Sequence, residues 1–356
     1  MDSARRRARY AKLSTELAHL DDAALRSLVG GPATAPGWGD VRTVEVAGEQ
    51  VFVKIIPLTD LELSRSYSTR NHYRLPSFYQ YGVWSAGFGA WREIVGHLTT
   101  TNWVLGEASA AFPLTYHVRV LRRTGRTAGL PDLDHYVRYW NSSRSIERYV
   151  TERAGGTHEA MIFLELLPHS LADWLARRPE DAPRLIGQLI DTAGFLRGQG
   201  IAHFDAHLGN LMTDGETSYV TDFGLLLDAR FDLTAREREF LARHRLFDVG
   251  EILTAFGAQL EFWFRSLPPG DQEKAGAMID ADADAGPTLR RNLVRHAERL
   301  DGLAHPALVE AVVRYRPVIE FMNDFFEALR ANPRKNTRYD ESQLQGLLRD
   351  TGVPTD

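Results

Sequence analysis

The sequence predicts an α+β protein, with strands gathered in its first half and helices in its second. Two β-branched runs, Val41 to Val46 and Gln50 to Ile56, are joined through Ala47, Gly48 and Glu49, the pattern of a hairpin with glycine in its turn. From Leu171 onward the apolar residues recur instead at helical intervals, as over Leu171 to Arg178 and Arg184 to Gly198. Pro168 interrupts the chain between these regimes and places their boundary near Leu166 to Ser170.

In chain order, residues near Thr15 to Leu28 space their apolar positions helically. Gly30, Gly31, Pro32, Pro36, Gly37 and Gly39 then make a loop before the hairpin. Residues 64–89 form an aromatic-rich insertion, and the set Tyr67, Tyr73, Phe78, Tyr79, Tyr81, Trp84, Phe88 and Trp91 is expected to pack against the first half or to line an acceptor pocket or partner surface. Ala90 to Val104 reads as a helix, and Val118 to Val120 and Ala160 to Leu166 as strands, with an Arg- and Gly-containing connection between them left unassigned. Several further helices are expected between Thr234 and the C-terminus. The organisation is thus a helical extension over 1–29, a small sheet-rich part over 30–167 and a helical part over 168–356 with C-terminal helices.

The 356 residues suffice for a sizeable core, and 44% hydrophobic with 25% charged residues is the balance of an ordinary globular chain. A formal net charge of -5 gives no pull towards nucleic acid or anionic lipid. The absence of cysteine excludes disulfides, thiolate metal sites and cysteine nucleophiles. The basic run Arg5 to Arg7 is not followed by an apolar stretch of leader length, and no window of about 18 apolar residues occurs, so a cytoplasmic protein without a membrane span is expected.

The residues that carry chemistry are His203-Phe204-Asp205-Ala206-His207-Leu208-Gly209-Asn210 and, shortly after, Thr221-Asp222-Phe223-Gly224. These segments resemble the catalytic loop and metal-binding motif of the protein-kinase superfamily. The resemblance implies a two-lobed protein-kinase-like fold, with a small β-rich first lobe and a larger α-helical second one. It implies that Asp205 orients an acceptor hydroxyl and takes its proton, while Asn210 and Asp222 hold Mg2+ against the phosphates of ATP. Magnesium favours such hard oxygen ligands. Between the motifs, short strand-like runs around Asp214-Gly215 predict a hairpin that returns the chain from Asn210 to Asp222.

Lys54 stands alone among apolar residues of the second strand, where a buried ammonium needs an anion. The chain uses arginine almost everywhere and lysine only at Lys12, Lys54, Lys274 and Lys335, so the lysine here is a particular choice. The resemblance implies that Lys54 binds the nucleotide phosphates and is fixed by Glu93, although the insertion lengthens the interval between them. Gly37 and Gly39, with Val41 and Val44 behind them, are expected to cover the phosphates and adenine. The backbone of Glu165, Leu166 and Leu167 would form the adenine-binding hinge.

The loop also departs from the protein-kinase pattern. Phe204 replaces the arginine that pairs with an activation-loop phosphate, His207 stands where lysine is usual, and no Ala-Pro-Glu follows Gly224. The Asp-x-His-x-x-Asn form is similar to antibiotic and choline kinases and to UbiB-type atypical kinases, whereas Asp222-Phe223-Gly224 is the protein-kinase form. The resemblance therefore implies an ATP- and Mg2+-dependent phosphotransferase acting on a hydroxyl of a protein or of a small metabolite. A nucleotide-binding pseudokinase or scaffold, and transfer of the nucleotidyl group, are the alternatives. Zinc held by His203 and His207 fits less well than magnesium, because a third ligand is missing from the context. Asp280, Asp282 and Asp284 begin like a calcium loop but lack its glycine and closing glutamate, and read as a surface turn.

Overall fold

Burial alternates over residues 43–46 and 50–55, and the segments that contain them, Asp40–Val46 and Glu49–Leu58, pair antiparallel as β1 and β2. The turn between them uses left-handed backbone at Ala47 and Gly48. The structure, a computed structural model, describes residues 3–30, 39–123, 132–281 and 286–355. Two helices precede the hairpin, α1 (Ser3–His19) and α2 (Asp22–Val29). The helical spacing read over Thr15 to Leu28 falls across both, because the Asp21 carboxylate accepts the Ala24 N–H and caps a new helix start. After the hairpin come α3 (Asp60–Ser64), α4 (Ala90–Leu105), β3 (Thr115–Arg122), α5 (Leu133–Tyr139), α6 (Arg144–Ala154) and β4 (His158–Glu165). There follow β5 (His169–Ser170), α7 (Leu171–Arg177), α8 (Ala182–Gly198), β6 (Ile201–Ala202), β7 (Leu211–Thr213), β8 (Ser218–Val220) and β9 (Leu227–Asp228). The remainder is helical: α9 (Ala235–Ala242), α10 (Phe247–Ser266), α11 (Pro269–Met278), α12 (Pro287–Arg295), α13 (Pro306–Ala331) and α14 (Glu341–Asp350).

The architecture is α+β, and the chain divides into two compact units. The first comprises Met1–Leu167, Asp222–Phe240 and Pro333–Lys335. Its four-stranded antiparallel sheet has the order β1-β2-β4-β3. Register assigns the faces: Lys54 lies opposite Ile162 and Phe52 opposite Leu164, whereas Val51 lies opposite Glu165 and Val53 opposite Phe163. On the Lys54 face, Ile56, Ile162 and Leu164 pack with Ala90, Trp91 and Ile94 of α4. Each large side chain so buried contributes about 1.5–3 kcal/mol. The other face receives α1, whose Leu13 and Leu17 are fully buried. Val44, opposite Val51, belongs to this α1 face, so it cannot share a nucleotide surface with Lys54; Val41, opposite Lys54, stays on the Lys54 side.

The expectation of a sheet-rich first part is also corrected, since helix outweighs strand among the described residues of this unit. The connection left unassigned holds α5 and α6; Ile146, Tyr149, Val150 and Arg153 of α6 are buried at helical spacing within a mostly polar sequence. Gly31 to Trp38, and with them Gly37, lie outside the described residues, as do Asp282 and Asp284. Gly39 has a packing reason of its own: a Cβ there would stand 2.4 Å from the Ile55 carbonyl oxygen.

The second unit comprises Pro168–Thr221, Leu241–Asn332 and Asn336–Asp356, and is built around α10. A Cβ at Gly250 would lie 2.9 Å from Met322 Sδ of α13, and one at Gly257 3.0 Å from Val294 of α12, so both glycines permit close helix packing. Strands β5, β7 and β8 form a small sheet, and β7 and β8 are the hairpin expected around Asp214-Gly215. No helix among the described residues is long and apolar enough to cross a membrane.

Candidate active site

In the first unit, strand β2 and helix α4 bring Lys54 to Glu93 with Nζ–Oε1 at 2.6 Å, and Asp222 Oδ2 lies 2.8 Å from the same ammonium. Burial by itself would lower the Lys54 pKa, but Asp222 and Glu93 outweigh it and raise the ammonium above the ordinary lysine range. Burial pushes the Glu93 carboxyl up, with Lys54 opposing and the neighbouring Asp222 adding to the rise. Burial opposes ionisation of Asp222 too, yet Lys54 and the Gly224 N–H hold it well below the usual carboxylate range. Asp222 is therefore an anion at neutral pH.

The segment that carries Asp222 is tightly constrained. Asp222 has φ +62°, a left-handed conformation costing about 1 kcal/mol or more for a residue with a Cβ, so the surrounding contacts must maintain it. Phe223 is fully buried, with His97 at 4.8 Å between ring centroids and Gly96 against its Cβ. A side chain at 224 would meet Asp222 Oδ1 at 3.2 Å and Glu93 Oε2 at 3.3 Å, which explains the glycine.

In the second unit, the loop from His203 to Asn210 is held through its backbone. Asp248 at the start of α10 accepts the N–H groups of His203 and Phe204 at 2.7 and 2.9 Å, and Glu251 one turn later accepts that of Ala206 at 2.7 Å. His203 Nδ1 accepts the Asp205 N–H, which leaves Nε2–H to donate to the Thr221 carbonyl at 3.1 Å. Phe204, also left-handed at φ +64°, is fully buried beside His244 and Phe247. Asn210 Nδ2 donates to Asp205 Oδ2 and to its carbonyl oxygen, both at 2.9 Å. His207 Nε2 lies 3.6 Å from Asp205 Oδ1 on the exposed side. The Asn210 carbonyl accepts the N–H and hydroxyl of Thr221, the residue directly before Asp222 in the chain.

No protein-family model and no curated protein matches the chain.

Each unit holds an oxygen of the hard kind that magnesium takes: ionised Asp222 in the first, and in the second Asn210 Oδ1, which accepts no hydrogen bond among the described residues while its amide nitrogen is engaged by Asp205. No group of three His, Asp or Glu side chains suited to a metal occurs among the described residues, so His203 and His207 gain no third ligand of that kind. The hinge expectation changes in one respect. The Glu165 N–H already donates to the Leu114 carbonyl at 2.8 Å, and its buried carboxylate binds Arg6 at 2.6 Å, so its amide is not available to an adenine. Leu166 and Leu167 follow the end of β4. Asp248 and Glu251 escaped the sequence reading; the signal was two carboxylates in the otherwise apolar run Phe247 to Phe256.

Proposed function

We propose that this protein is an ATP- and magnesium-dependent phosphotransferase of two-lobed protein-kinase-like fold, acting on a hydroxyl acceptor. The observation that carries the reading is the buried cluster of Lys54, Glu93 and Asp222. An ammonium fixed between two carboxylates, one of them partly exposed and held ionised, is the arrangement needed to bind phosphates beside a divalent cation. The second loop adds the complementary chemistry, a carboxylate oriented by an asparagine amide.

In this reading Lys54 engages the nucleotide phosphates, and Glu93 keeps its Nζ in place. Asp222 and Asn210 Oδ1 would hold the magnesium ion, which when bound neutralises charge on the phosphate oxygens. Asp205 receives the acceptor's hydroxyl proton as the new oxygen–phosphorus bond forms and the bond between the γ-phosphorus and its bridging oxygen breaks, releasing ADP. Leu166 and Leu167 offer backbone groups to the adenine, and Val41 an apolar surface.

The test is magnesium-dependent transfer from γ-labelled ATP to the protein itself, to a generic protein mixture and to a panel of hydroxylated metabolites, with Asp222→Asn as the blank. Label on a protein or a metabolite supports the proposal and identifies the acceptor class. Retained nucleotide binding without transfer replaces it with the pseudokinase reading. A product heavier by a nucleotidyl group rather than by a phosphoryl group points to nucleotidyl transfer.

A further inference from the structure

The aromatic insertion contributes more than packing, because it grips the segment that carries Asp222. The buried Gln80 side chain donates from Nε2 to the Leu225 carbonyl. The Phe88 N–H donates to the Gly224 carbonyl at 3.3 Å. Gly87, at φ +87°, lies so close that a Cβ would stand 2.8 Å from the Gly224 oxygen. Further along, Thr69 Oγ1 accepts the Asp232 N–H at 3.0 Å, and Tyr81 meets Phe240 with ring centroids 5.5 Å apart. Arg92, beside Glu93 on α4, ties the two ends together: its Nε donates to the Thr69 carbonyl at 2.7 Å and its Nη2 pairs with Glu237 at 2.6 Å.

We propose that residues 64–89 act as a built-in strap that fixes Asp222–Gly224 in its metal-holding conformation, with Gln80 and Gly87 as its positioning residues. The need for such a strap follows from Asp222 itself, whose left-handed backbone persists only where neighbours over-determine it. Lys54 and the Gly224 N–H hold the carboxylate, while the strap holds the two carbonyls that follow it. The strap lies in the chain itself, so ordering this segment requires no added phosphate. This inference rests on the reading of Asp222 as a magnesium ligand.

The experiment uses the full chain and Mn2+ as the probe, with free Mn2+ followed by electron paramagnetic resonance in the presence of a non-hydrolysable ATP analogue. Wild type is compared with Gln80→Met, which keeps the volume and removes the donor, with Gly87→Ala and with Asp222→Asn. The strap predicts that Gln80→Met and Gly87→Ala each weaken Mn2+ binding about tenfold, the equivalent of one lost hydrogen bond of ordinary strength. Nucleotide affinity in excess chelator should change less than about twofold, a split that general loosening of the fold would not produce. Unchanged Mn2+ affinity in both folded variants, with Asp222→Asn impaired, overturns the strap alone. Equal affinity in wild type and Asp222→Asn overturns the ligand assignment beneath it. If neither strap variant folds, hydrogen exchange on wild type decides. Linkage requires Mn2+ with nucleotide to slow exchange of the Phe88 amide, and no change overturns the proposal.

Discussion

The two faces of one sheet carry two buried ion pairs that differ in completeness. On the α1 side, Arg6 donates from Nε and Nη2 to both Glu165 oxygens, from Nη2 also to the Phe112 carbonyl and from Nη1 to that of Ala110. Glu165 Oε2 accepts the Leu114 N–H as well, and both side chains are almost wholly out of water. On the α4 side, Lys54 has three donors and two carboxylate partners among the described residues, and Asp222 remains 37% exposed. The first pair is a closed network, and its work is to hold α1 on the sheet. The second is open, with donor and acceptor capacity that no described residue fills. Satisfaction of hydrogen-bonding capacity, more than burial, separates the closed pair from the open one.

Breaking the open side should give the largest effect. Asp222→Asn and Asp205→Asn are each expected to lower transfer from γ-labelled ATP by about a thousandfold or more. Titration with labelled nucleotide separates the two variants, since only Asp222→Asn should lose the magnesium dependence of binding. The closed side answers in stability: Arg6→Met leaves the Glu165 carboxylate buried without its partner, at a cost of about 3–5 kcal/mol in urea unfolding. Adding Glu165→Leu to that variant should recover most of the loss, whereas Lys54→Met should remove turnover at a smaller cost in stability. If Lys54→Met were as destabilising as Arg6→Met, the contrast between open and closed pairs would fail.

A smaller effect is expected from Glu93→Gln, which keeps the shape but weakens the hold on Lys54; kcat/KM for ATP should fall about a hundredfold, as for a slightly misplaced reactive group. The smallest concerns the support beneath Asp205. Burial raises the Asp248 carboxyl from 3.8 to about 6. A raised acid favours the folded state fully below its unfolded value and loses that contribution as pH rises through the folded one. Chemical denaturation of wild type and Asp248→Asn should therefore converge on going from pH 4 to pH 7, by about 2 kcal/mol. Parallel curves would show that Asp248 does not titrate in this window.

The hairpin, α4 and the need of Lys54 for an anion were legible in the sequence because each leaves a local trace: a glycine turn between β-branched runs, helical periodicity, and one lysine in an apolar strand. Glu93, Asp205 and Asn210 were picked out through the resemblance to the protein-kinase motifs. Other features leave no such trace. Arg6 meets Glu165 only because α1 crosses the sheet, and a basic run at the start of a chain looks the same with or without that partner. Val44 was misplaced because strand alternation gives two faces without saying which one α4 covers. Helix α6 was hidden by its charged residues, although its four inward positions keep helical spacing. Asp248 and Glu251 act on backbone N–H groups, which any sequence possesses, so their targets carry no signature.

The turn between β7 and β8 has a consequence for how this chain can vary. Gly215, at φ +91°, sits so near the Trp174 ring that an added Cβ would come within 2.5 Å of it, and the Trp174 indole N–H is itself anchored on Asp181 at 2.9 Å. The hairpin tip is wedged against a fixed shelf, so the turn has no slack in which to gain or lose residues. The distance along the chain from Asn210 to Asp222 is in effect a gauge length. Insertions should be tolerated almost anywhere on the surface of this unit before they are tolerated there, and a library of loop-length variants would find this turn among its least permissive sites.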